Sequence, residues 1–152
     1  MIVSDNKVRK RKVLKLSDRY RKIWYGENPE ERLGTKNLDE HIRLLKRYVP
    51  DFVLDYGISE KEMFIDFKIR PGKQLRHFEF TENLRIKVRN YCIDNLLRTW
   101  PYAHRDWTPT NIIIDNDSIH LVDWDNIFLA DKEYNLKNMF DRIDEKINQW
   151  RE

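Results

Sequence analysis

Short stretches rich in apolar and aromatic residues, separated by polar residues, recur in the first half of the chain. Val13 to Leu16 and Tyr20 to Tyr25 are two such stretches, which predicts two neighbouring strands. Phe52 to Tyr56 and Met63 to Ile69 predict two more strands, with Gly57 in the turn between them. We therefore expect a small antiparallel sheet in this half of the chain.

Three other segments place their apolar residues at helical spacing. Asn37 can cap the first helix, Glu40 falls in the capping-box position three residues later, and Pro50 ends the helix. Thr81 to Trp100 is the strongest helical segment, and Leu136 to Trp150 predicts a final amphipathic helix. A sheet with one helix, followed by further helices, predicts an α+β fold.

A β-hairpin is predicted after the longest helix. Its strands are Asn111 to Ile114 and Ser118 to Asp123, and its turn is centred near Asp117. Asn111 and Asp123 lie six residues on either side of that centre, so we expect them to face one another with Cβ atoms roughly 4.5–5.5 Å apart. An amide oxygen and a carboxylate at that separation can share one magnesium ion, which prefers oxygen ligands.

Two further acidic residues flank this hairpin. Asp106 lies five residues before Asn111, in the loop that leads into the first strand. Its carboxylate can point at a metal-bound phosphate without being a metal ligand, which is where a base for an attacking hydroxyl is required. Asp125 lies two residues after Asp123 and either assists the metal or caps the next turn.

Residues 103–125 resemble the catalytic core of the protein-kinase-like superfamily. They contain a His-Arg-Asp tripeptide, an asparagine five positions after its aspartate, a strand of three isoleucines and an Asp-Trp-Asp tripeptide at 123–125. Protein kinases have Asp-Phe-Gly in place of the Asp-Trp-Asp tripeptide. The Asp-Trp-acid pattern is similar to that of the aminoglycoside phosphotransferase and choline kinase branch.

The resemblance implies a two-lobed, protein-kinase-like fold in a reduced form, within one domain that covers residues 1–152. The N-terminal lobe, about 1–70, would hold the small antiparallel sheet and one helix. The C-terminal lobe, about 73–152, would hold a minimal set of helices. The implied activity is transfer of the γ-phosphate of ATP to a hydroxyl acceptor with magnesium as cofactor.

The resemblance also assigns roles to individual residues. It implies that Asp106 is the catalytic base, that Asn111 and Asp123 hold magnesium, and that His104 is a buried structural residue beside the loop. Asp125 is a further candidate for the metal. These are the residues on which the enzymatic hypothesis depends.

A kinase also needs a lysine at the phosphates and a glutamate that holds this lysine. Glu40, on the first predicted helix, suits the second role. Lys22 and Lys15 compete for the first: Lys22 lies 18 residues before Glu40, close to the usual family interval, and Lys15 lies farther back in a similar strand pattern. Phe67 to Leu75, which contains a Pro-Gly pair, resembles the hinge against which adenine rests.

Two features depart from the family pattern. Residues 4–10 occupy the place of the Gly-rich loop and contain no glycine. The region after Asp125 is short compared with small-molecule kinases, so we expect a macromolecular acceptor, a second subunit that completes the site, or loss of catalysis. An active phosphotransferase is the leading hypothesis, and a nucleotide-binding pseudokinase or scaffold without turnover is the alternative.

Charge adds a third hypothesis. The net charge is +3, and residues 7–22 hold nine Lys and Arg against one acid, Asp18. With Tyr20, Trp24 and Tyr25 as stacking surfaces, this segment could bind nucleic acid. We favour a solvated, basic strand face instead and do not expect nucleic acid as the main partner.

A fourth hypothesis, a transition-metal hydrolase site, would use His104, Asp106, His120 and Asp123. His120 and Asp123 are an odd number of positions apart on one predicted strand, which disfavours a shared ion because neighbouring strand residues point to opposite faces.

Composition and apolar patterning bear on location. The single cysteine, Cys92, lies in a predicted helix and fits a reducing compartment. No apolar run approaches the ~18 residues of a membrane span, and the basic N-terminus has no apolar segment behind it. We expect a cytoplasmic protein without a membrane partner, and a homodimer is compatible with the short C-terminal part.

Overall fold

The computed structural model describes residues 1–104, 106–130 and 134–151, apart from the side chain of Asn126. The chain divides into two units, Met1–Ile69 and Arg70–Glu152. Both are mixed α and β, with a small antiparallel sheet and few helices, so the predicted α+β class is confirmed.

The first unit is built on a five-stranded antiparallel sheet with the order β1-β2-β3-β5-β4. Its strands and its helix are β1 Ile2–Asn6, β2 Arg11–Lys15, β3 Arg19–Tyr25, α1 Leu38–Tyr48, β4 Val53–Ile58 and β5 Glu62–Lys68. Strand β1 was not predicted, because all five of its residues are exposed and no buried face marks it in the sequence.

Gly57 lies inside β4 and not in a turn, so its predicted place was wrong. It pairs with Phe64 on β5, and a Cβ atom at this position would lie 2.6 Å from the Cε1 atom of the Phe64 ring. Glycine therefore serves close packing across the strand pair here. The strands reverse one step later, where the N–H of Ser59 donates to the carbonyl of Glu62 at 2.7 Å.

Helix α1 begins as predicted. The side chain of Asn37 accepts a hydrogen bond from the backbone N–H of Glu40 at 2.9 Å, which satisfies one of the free donors at the helix start. The helix ends at Tyr48, two residues before Pro50. It buries one face, whose residues are Leu38, His41, Ile42, Leu44 and Leu45.

The second unit contains two long helices and two small sheets, with the orders β6-β8-β9 and β10-β7. In chain order its elements are β6 Lys73–Gln74, α2 Glu82–Thr99, β7 Tyr102–Ala103, β8 Ile112–Asp115, β9 Ser118–Leu121, β10 Phe128–Leu129 and α3 Leu136–Asn148. The side chain of Thr81, where the predicted helical segment starts, caps α2 by accepting from the N–H of Leu84 at 3.2 Å.

Helices α2 and α3 pack together and contribute buried residues to the core of this unit. Cys92 lies on α2, as predicted, and is fully buried, and burial raises the pKa of its thiol to about 12. Arg89 on α2 binds Asp144 on α3 at 2.6 Å. Among the described residues, no helix combines the length and the apolar character that crossing a bilayer requires.

Gly72 lies just before β6, where the chain passes close to β8. Its φ of +114° lies in a region that L side chains rarely adopt. A Cβ atom here would collide with the backbone carbonyl of Ile114. The close approach of the two backbones therefore requires glycine.

Candidate active site

The hairpin of β8 and β9 has a different register from the predicted one. Ile112 pairs with Leu121, and the two strands are joined by a two-residue turn whose first residue, Asn116, has a φ of +53°. The N–H of Val122 donates to the carbonyl of Asn111 at 2.8 Å, so Asn111 lies opposite Val122. The expectation that Asn111 faces Asp123 across the ladder was wrong, because a two-residue turn is centred between residues and not on one.

Asp123 has left the strand altogether. Strand β9 ends at Leu121, and Asp123 has φ 63° and ψ 64°, the left-handed conformation. Non-glycine residues in sparsely populated backbone regions cost about 1–3 kcal/mol and persist where surrounding contacts hold them. Because Asp123 lies outside β9, the alternation of side chains along the strand does not determine where the Asp123 side chain points. The predicted separation of His120 and Asp123 on opposite faces of one strand therefore does not apply.

His104 connects the loop that carries Asp106 to the segment after β9. Its Nδ1 atom accepts the backbone N–H of Asp106 at 2.9 Å, and its Nε2 atom lies 2.9 Å from the carbonyl of Val122. Since Nδ1 accepts, Nε2 must carry the proton and donate to that carbonyl. Arg105, the middle residue of the tripeptide, lies outside the described residues.

The surroundings of His104 keep its imidazole neutral. The ring is buried and meets the ring of Trp124 edge-on at 4.8 Å. Burial lowers the pKa of His104, because the charged form would lose its hydration. The predicted role of a buried structural histidine is therefore confirmed.

Asn111 holds Asp106. Its side-chain Nδ2 group donates to the Oδ2 atom of Asp106 at 3.1 Å and to the backbone carbonyl of Asp106 at 3.2 Å. Its own N–H donates to the carbonyl of Thr108 at 2.9 Å, which closes the loop. The amide nitrogen is thus directed at Asp106, and the amide oxygen Oδ1 is the atom of Asn111 suited to bind a cation.

Two aromatic residues fix the backbone that leads to Asp123. The hydroxyl of Tyr91, on α2, accepts the N–H of Leu121 at 2.9 Å. The indole Nε1 group of Trp124 donates to the carbonyl of Leu121 at 2.8 Å. Tyr91 recurs at helical spacing with the apolar residues of the predicted helix 81–100, and its hydroxyl is the one feature of the sequence that could have indicated this contact.

Asp125 is buried, at 2% exposure, in the short helical turn 124–126. Within the described ranges, no set of three or more His, Cys, Asp and Glu side chains could hold a metal ion. His104 uses both of its ring nitrogens in hydrogen bonds to backbone groups, which argues against the transition-metal hydrolase hypothesis. A magnesium site of one amide and one or two carboxylates does not need such a set.

The two candidate lysines lie on the same sheet of the first unit. Lys22, on β3, is half-buried, and its Nζ atom lies 5.6 Å from the centre of the Phe67 ring. Lys15 is exposed at the end of β2, opposite Tyr20. Of the two, Lys22 has the more confined surroundings.

Helix α1 presents two neighbouring polar residues in different environments. The carboxylate of Glu40 lies 3.6 Å from the guanidinium of Arg43. His41 is fully buried, and among the described residues neither of its ring nitrogens has a hydrogen-bond partner. Burial first, and the charge of Lys22 second, lower the pKa of His41 to about 4. The role of Glu40 as partner of the phosphate lysine remains a prediction.

The basic N-terminal segment forms the hairpin of β1 and β2. Residues 7–10 make its turn and are exposed. Trp24 is buried, at 2% exposure, so its predicted role as a stacking surface was wrong. The hydroxyl of Tyr25 donates to the carboxylate of Asp5 at 3.0 Å, and the Nζ atom of Lys12 lies 5.8 Å from the centre of its ring. These contacts engage the Tyr25 side chain within the sheet.

Comparison with known proteins shows the fold. No protein-family model matches the chain, and no curated protein matches it. The 2.2 Å crystal structure of WbdD matches with a TM-score of 0.69 and 16% identity, over 96% of this chain and 36% of that chain. The co-crystal structure of WbdD with the kinase inhibitor LY294002 matches with a TM-score of 0.64 and 18% identity, over 93% and 35% of the two chains.

A third structure, described as the bifunctional kinase-methyltransferase WbdD, matches with a TM-score of 0.60 and 18% identity, over 92% of this chain and 34% of that chain. The chain therefore spans about a third of the length of these neighbours. At this level of identity the likeness concerns the fold, and the chain has a kinase-like fold.

Proposed function

We propose that this chain is an ATP- and magnesium-dependent phosphotransferase that moves the γ-phosphate to a hydroxyl acceptor. The carrying observation is the double restraint on Asp106: His104 binds its backbone N–H, and the Asn111 side chain binds its carboxylate. A surface aspartate needs no such restraints, whereas a base must be held near its productive geometry. The kinase-like fold supports the same reaction class.

Asp106 is proposed as the base. Its Oδ2 atom accepts from Asn111, which leaves Oδ1 to accept a hydrogen bond from an acceptor hydroxyl. The hydroxyl oxygen forms a bond to the γ-phosphorus, the bond from that phosphorus to the bridging oxygen of ATP breaks, and ADP leaves. The hydroxyl proton passes to Asp106. Half-burial of Asp106 leaves it reachable by an acceptor.

The metal is proposed to bind to oxygen atoms of Asn111 and Asp123, with Asp125 as a further candidate. An amide oxygen and carboxylates are the ligands that magnesium prefers, so the donor chemistry of these residues fits the ion. When bound, magnesium neutralises phosphate charge. Asn111 then contributes to both groups, since its nitrogen holds the base and its oxygen faces the metal.

For the phosphate-binding lysine we propose Lys22, with Lys15 as the weaker candidate because it is exposed. Glu40 is proposed to hold this lysine, in competition with Arg43. The Asp-Trp-Asp tripeptide at 123–125 supports the proposal that this chain is a reduced member of the aminoglycoside phosphotransferase and choline kinase branch.

The test is incubation of the protein with magnesium and γ-labelled ATP, alone and with candidate proteins and small alcohols. We expect label transfer that is lost in Asp106→Asn and retained in Asp117→Asn, a matched change in the exposed hairpin turn. Equal transfer by Asp106→Asn and the natural protein would refute the assignment of the base. Absence of transfer with every acceptor would favour the second candidate.

That second candidate is a nucleotide-binding pseudokinase or scaffold. The turn between β1 and β2 has the sequence Lys-Val-Arg-Lys at 7–10, where a glycine-rich loop would allow the backbone to approach phosphates. Lys10, the last residue of this turn, has a φ of +51°, a conformation that glycine adopts more readily than lysine. This hypothesis predicts that ATP raises the melting temperature while no phosphate is released or transferred.

A further inference from the structure

We propose that Tyr91 is a positioning residue that holds Asp123 in its left-handed conformation through the backbone of Leu121. This inference rests on the proposed metal-binding role of Asp123. Tyr91 touches neither the metal nor a substrate in this scheme, and its effect passes through the two residues that precede Asp123. Its hydroxyl binds the N–H of Leu121 at 2.9 Å.

The conformation of Asp123 requires such support. Its φ of 63° and ψ of 64° are unfavourable for a residue with a Cβ atom. A strained residue keeps its conformation only where neighbouring contacts determine it. Strand β9 ends at Leu121, so the ladder itself stops two residues before the strained position.

Four hydrogen bonds fix the two residues that precede Asp123. The N–H of Leu121 binds Tyr91, and its carbonyl binds the indole of Trp124. The N–H of Val122 binds the carbonyl of Asn111, and its carbonyl binds His104. Three of these four partners belong to the loop and hairpin that carry the site.

Tyr91 differs from the other three partners because it comes from α2, thirty residues earlier in the chain. Helix α2 is fixed in the core by its packing against α3 and by the Arg89–Asp144 ion pair. The Tyr91 hydroxyl therefore ties the segment before Asp123 to the packed pair of helices α2 and α3. A phenylalanine would fill the same space and leave the N–H of Leu121 without this acceptor.

The experiment compares the natural protein with Tyr91→Phe by titrating Mn²⁺ in the presence of ATP and following free Mn²⁺ by electron paramagnetic resonance. We expect the dissociation constant for Mn²⁺ to rise about five- to tenfold, the effect of about 1 kcal/mol for one hydrogen bond. We expect kcat at saturating metal to change less than twofold. Partial unfolding alone would lower the number of sites without changing their affinity.

Trp150→Phe is the matched control. It removes a side-chain hydrogen bond to a backbone carbonyl, that of Phe78 at 2.9 Å, at a position unrelated to β9. We expect it to lower the melting temperature and to leave Mn²⁺ affinity unchanged. Equal Mn²⁺ affinity in Tyr91→Phe and the natural protein would overturn the inference while leaving the proposed function intact.

Amide hydrogen exchange on the natural protein provides a second test that needs no variant. The N–H of Leu121 should exchange at least tenfold more slowly than that of the exposed turn residue Asp117. Equal exchange rates would overturn the Tyr91 contact itself. If the natural protein bound neither Mn²⁺ nor ATP, the proposed function would fail and the positioning role would fall with it.

Discussion

The Nδ1 atom of His104 accepts a hydrogen bond from the backbone N–H of Asp106, two residues along the chain, at 2.9 Å. The opposite ring nitrogen binds the carbonyl of Val122, next to Asp123. One buried, neutral imidazole thus joins the proposed base to the proposed metal-binding segment. Both bonds use backbone groups, so their effect is on the positions of the two acids and not on their charges.

Replacement of His104 is expected to impair both folding and turnover. His104→Phe keeps a ring in the core but leaves the N–H of Asp106 and the carbonyl of Val122 without this partner, which should cost about 2–4 kcal/mol of unfolding free energy for two such groups. Misplacement of Asp106 should lower kcat by roughly 100-fold. Urea unfolding measures the loss of unfolding free energy, and label transfer by the folded fraction measures kcat. A His104→Phe variant that keeps full kcat would contradict the positioning of Asp106 by His104.

Stability is expected to fall as the pH drops below 6.5. The pKa of His41 is lowered from 6.5 to about 4 in the folded chain, so the unfolded state binds more protons between these values. The contribution of the neutral His41 to the unfolding free energy is fully present above pH 6.5 and is lost as the pH falls toward 4. The loss approaches roughly 3 kcal/mol, because each unit of pKa separation is worth about 1.4 kcal/mol. Burial lowers the pKa of His104 as well, which acts in the same direction.

The variant His41→Leu isolates this effect. It removes two buried nitrogens that have no hydrogen-bond partner and replaces them with apolar atoms of similar volume. We expect little loss of stability at pH 7.5 and a gain relative to the natural protein that grows as the pH is lowered to 4.5. Urea titrations at several pH values measure the difference, and a constant difference across that range would contradict it.

Gly72→Ala is expected to destabilise the second unit by about 2–4 kcal/mol, since it combines an unfavourable φ with a clash against a backbone carbonyl. Gly26→Ala is the control, because Gly26 also has a positive φ, of +98°, but its added Cβ would meet side chains and not backbone, those of Lys10 at 3.0 Å and Arg32 at 3.3 Å. We expect about 1 kcal/mol for the control. Equal losses in the two variants would show that the Ile114 carbonyl moves aside.

Asp66 on β5 is the fully buried acid of the first unit. It accepts hydrogen bonds from Arg21 at 2.7 and 3.0 Å and from Arg19 at 3.4 Å. Asp66→Asn should cost about 2–3 kcal/mol in urea unfolding, because the arginines lose their counter-charge. Asp55→Asn, on the neighbouring strand and exposed, should change stability by less than about 0.5 kcal/mol. A negligible effect at Asp66 would contradict a structural role for this cluster.

The parts of the fold that the sequence predicts best depend on local signals. The cap at Asn37 acts within three residues of the helix start and was found in the predicted place, and the helical segment predicted from Thr81 begins at a cap of the same kind. Strand β1 escaped prediction because its stability comes from pairing with β2 and not from a buried face of its own. Local signals identify helix ends, and they do not reveal an exposed edge strand.

The candidate site residues come from the sequence pattern, whereas their geometry comes from the structure. The pattern in 103–125 pointed to Asp106, Asn111 and Asp123, but the facing of Asn111 and Asp123 depended on the assumed centre of the turn. The centre of the turn lies half a residue earlier than assumed, so Val122, and not Asp123, lies opposite Asn111. The contact of Tyr91 with β9 spans thirty residues, and no periodicity within α2 encodes it.

The turn at Asn116 and Asp117 limits how this site can vary among related chains. One extra residue there would slide every pair of β8 and β9 and turn the buried Ile112 and Ile114 outward, unless a bulge absorbed it. Substitutions in the turn are tolerated wherever the new residue accepts a positive φ. The number of residues between the two strands, more than their identity, therefore determines whether a homologue can keep Asn111 and Asp123 in this arrangement.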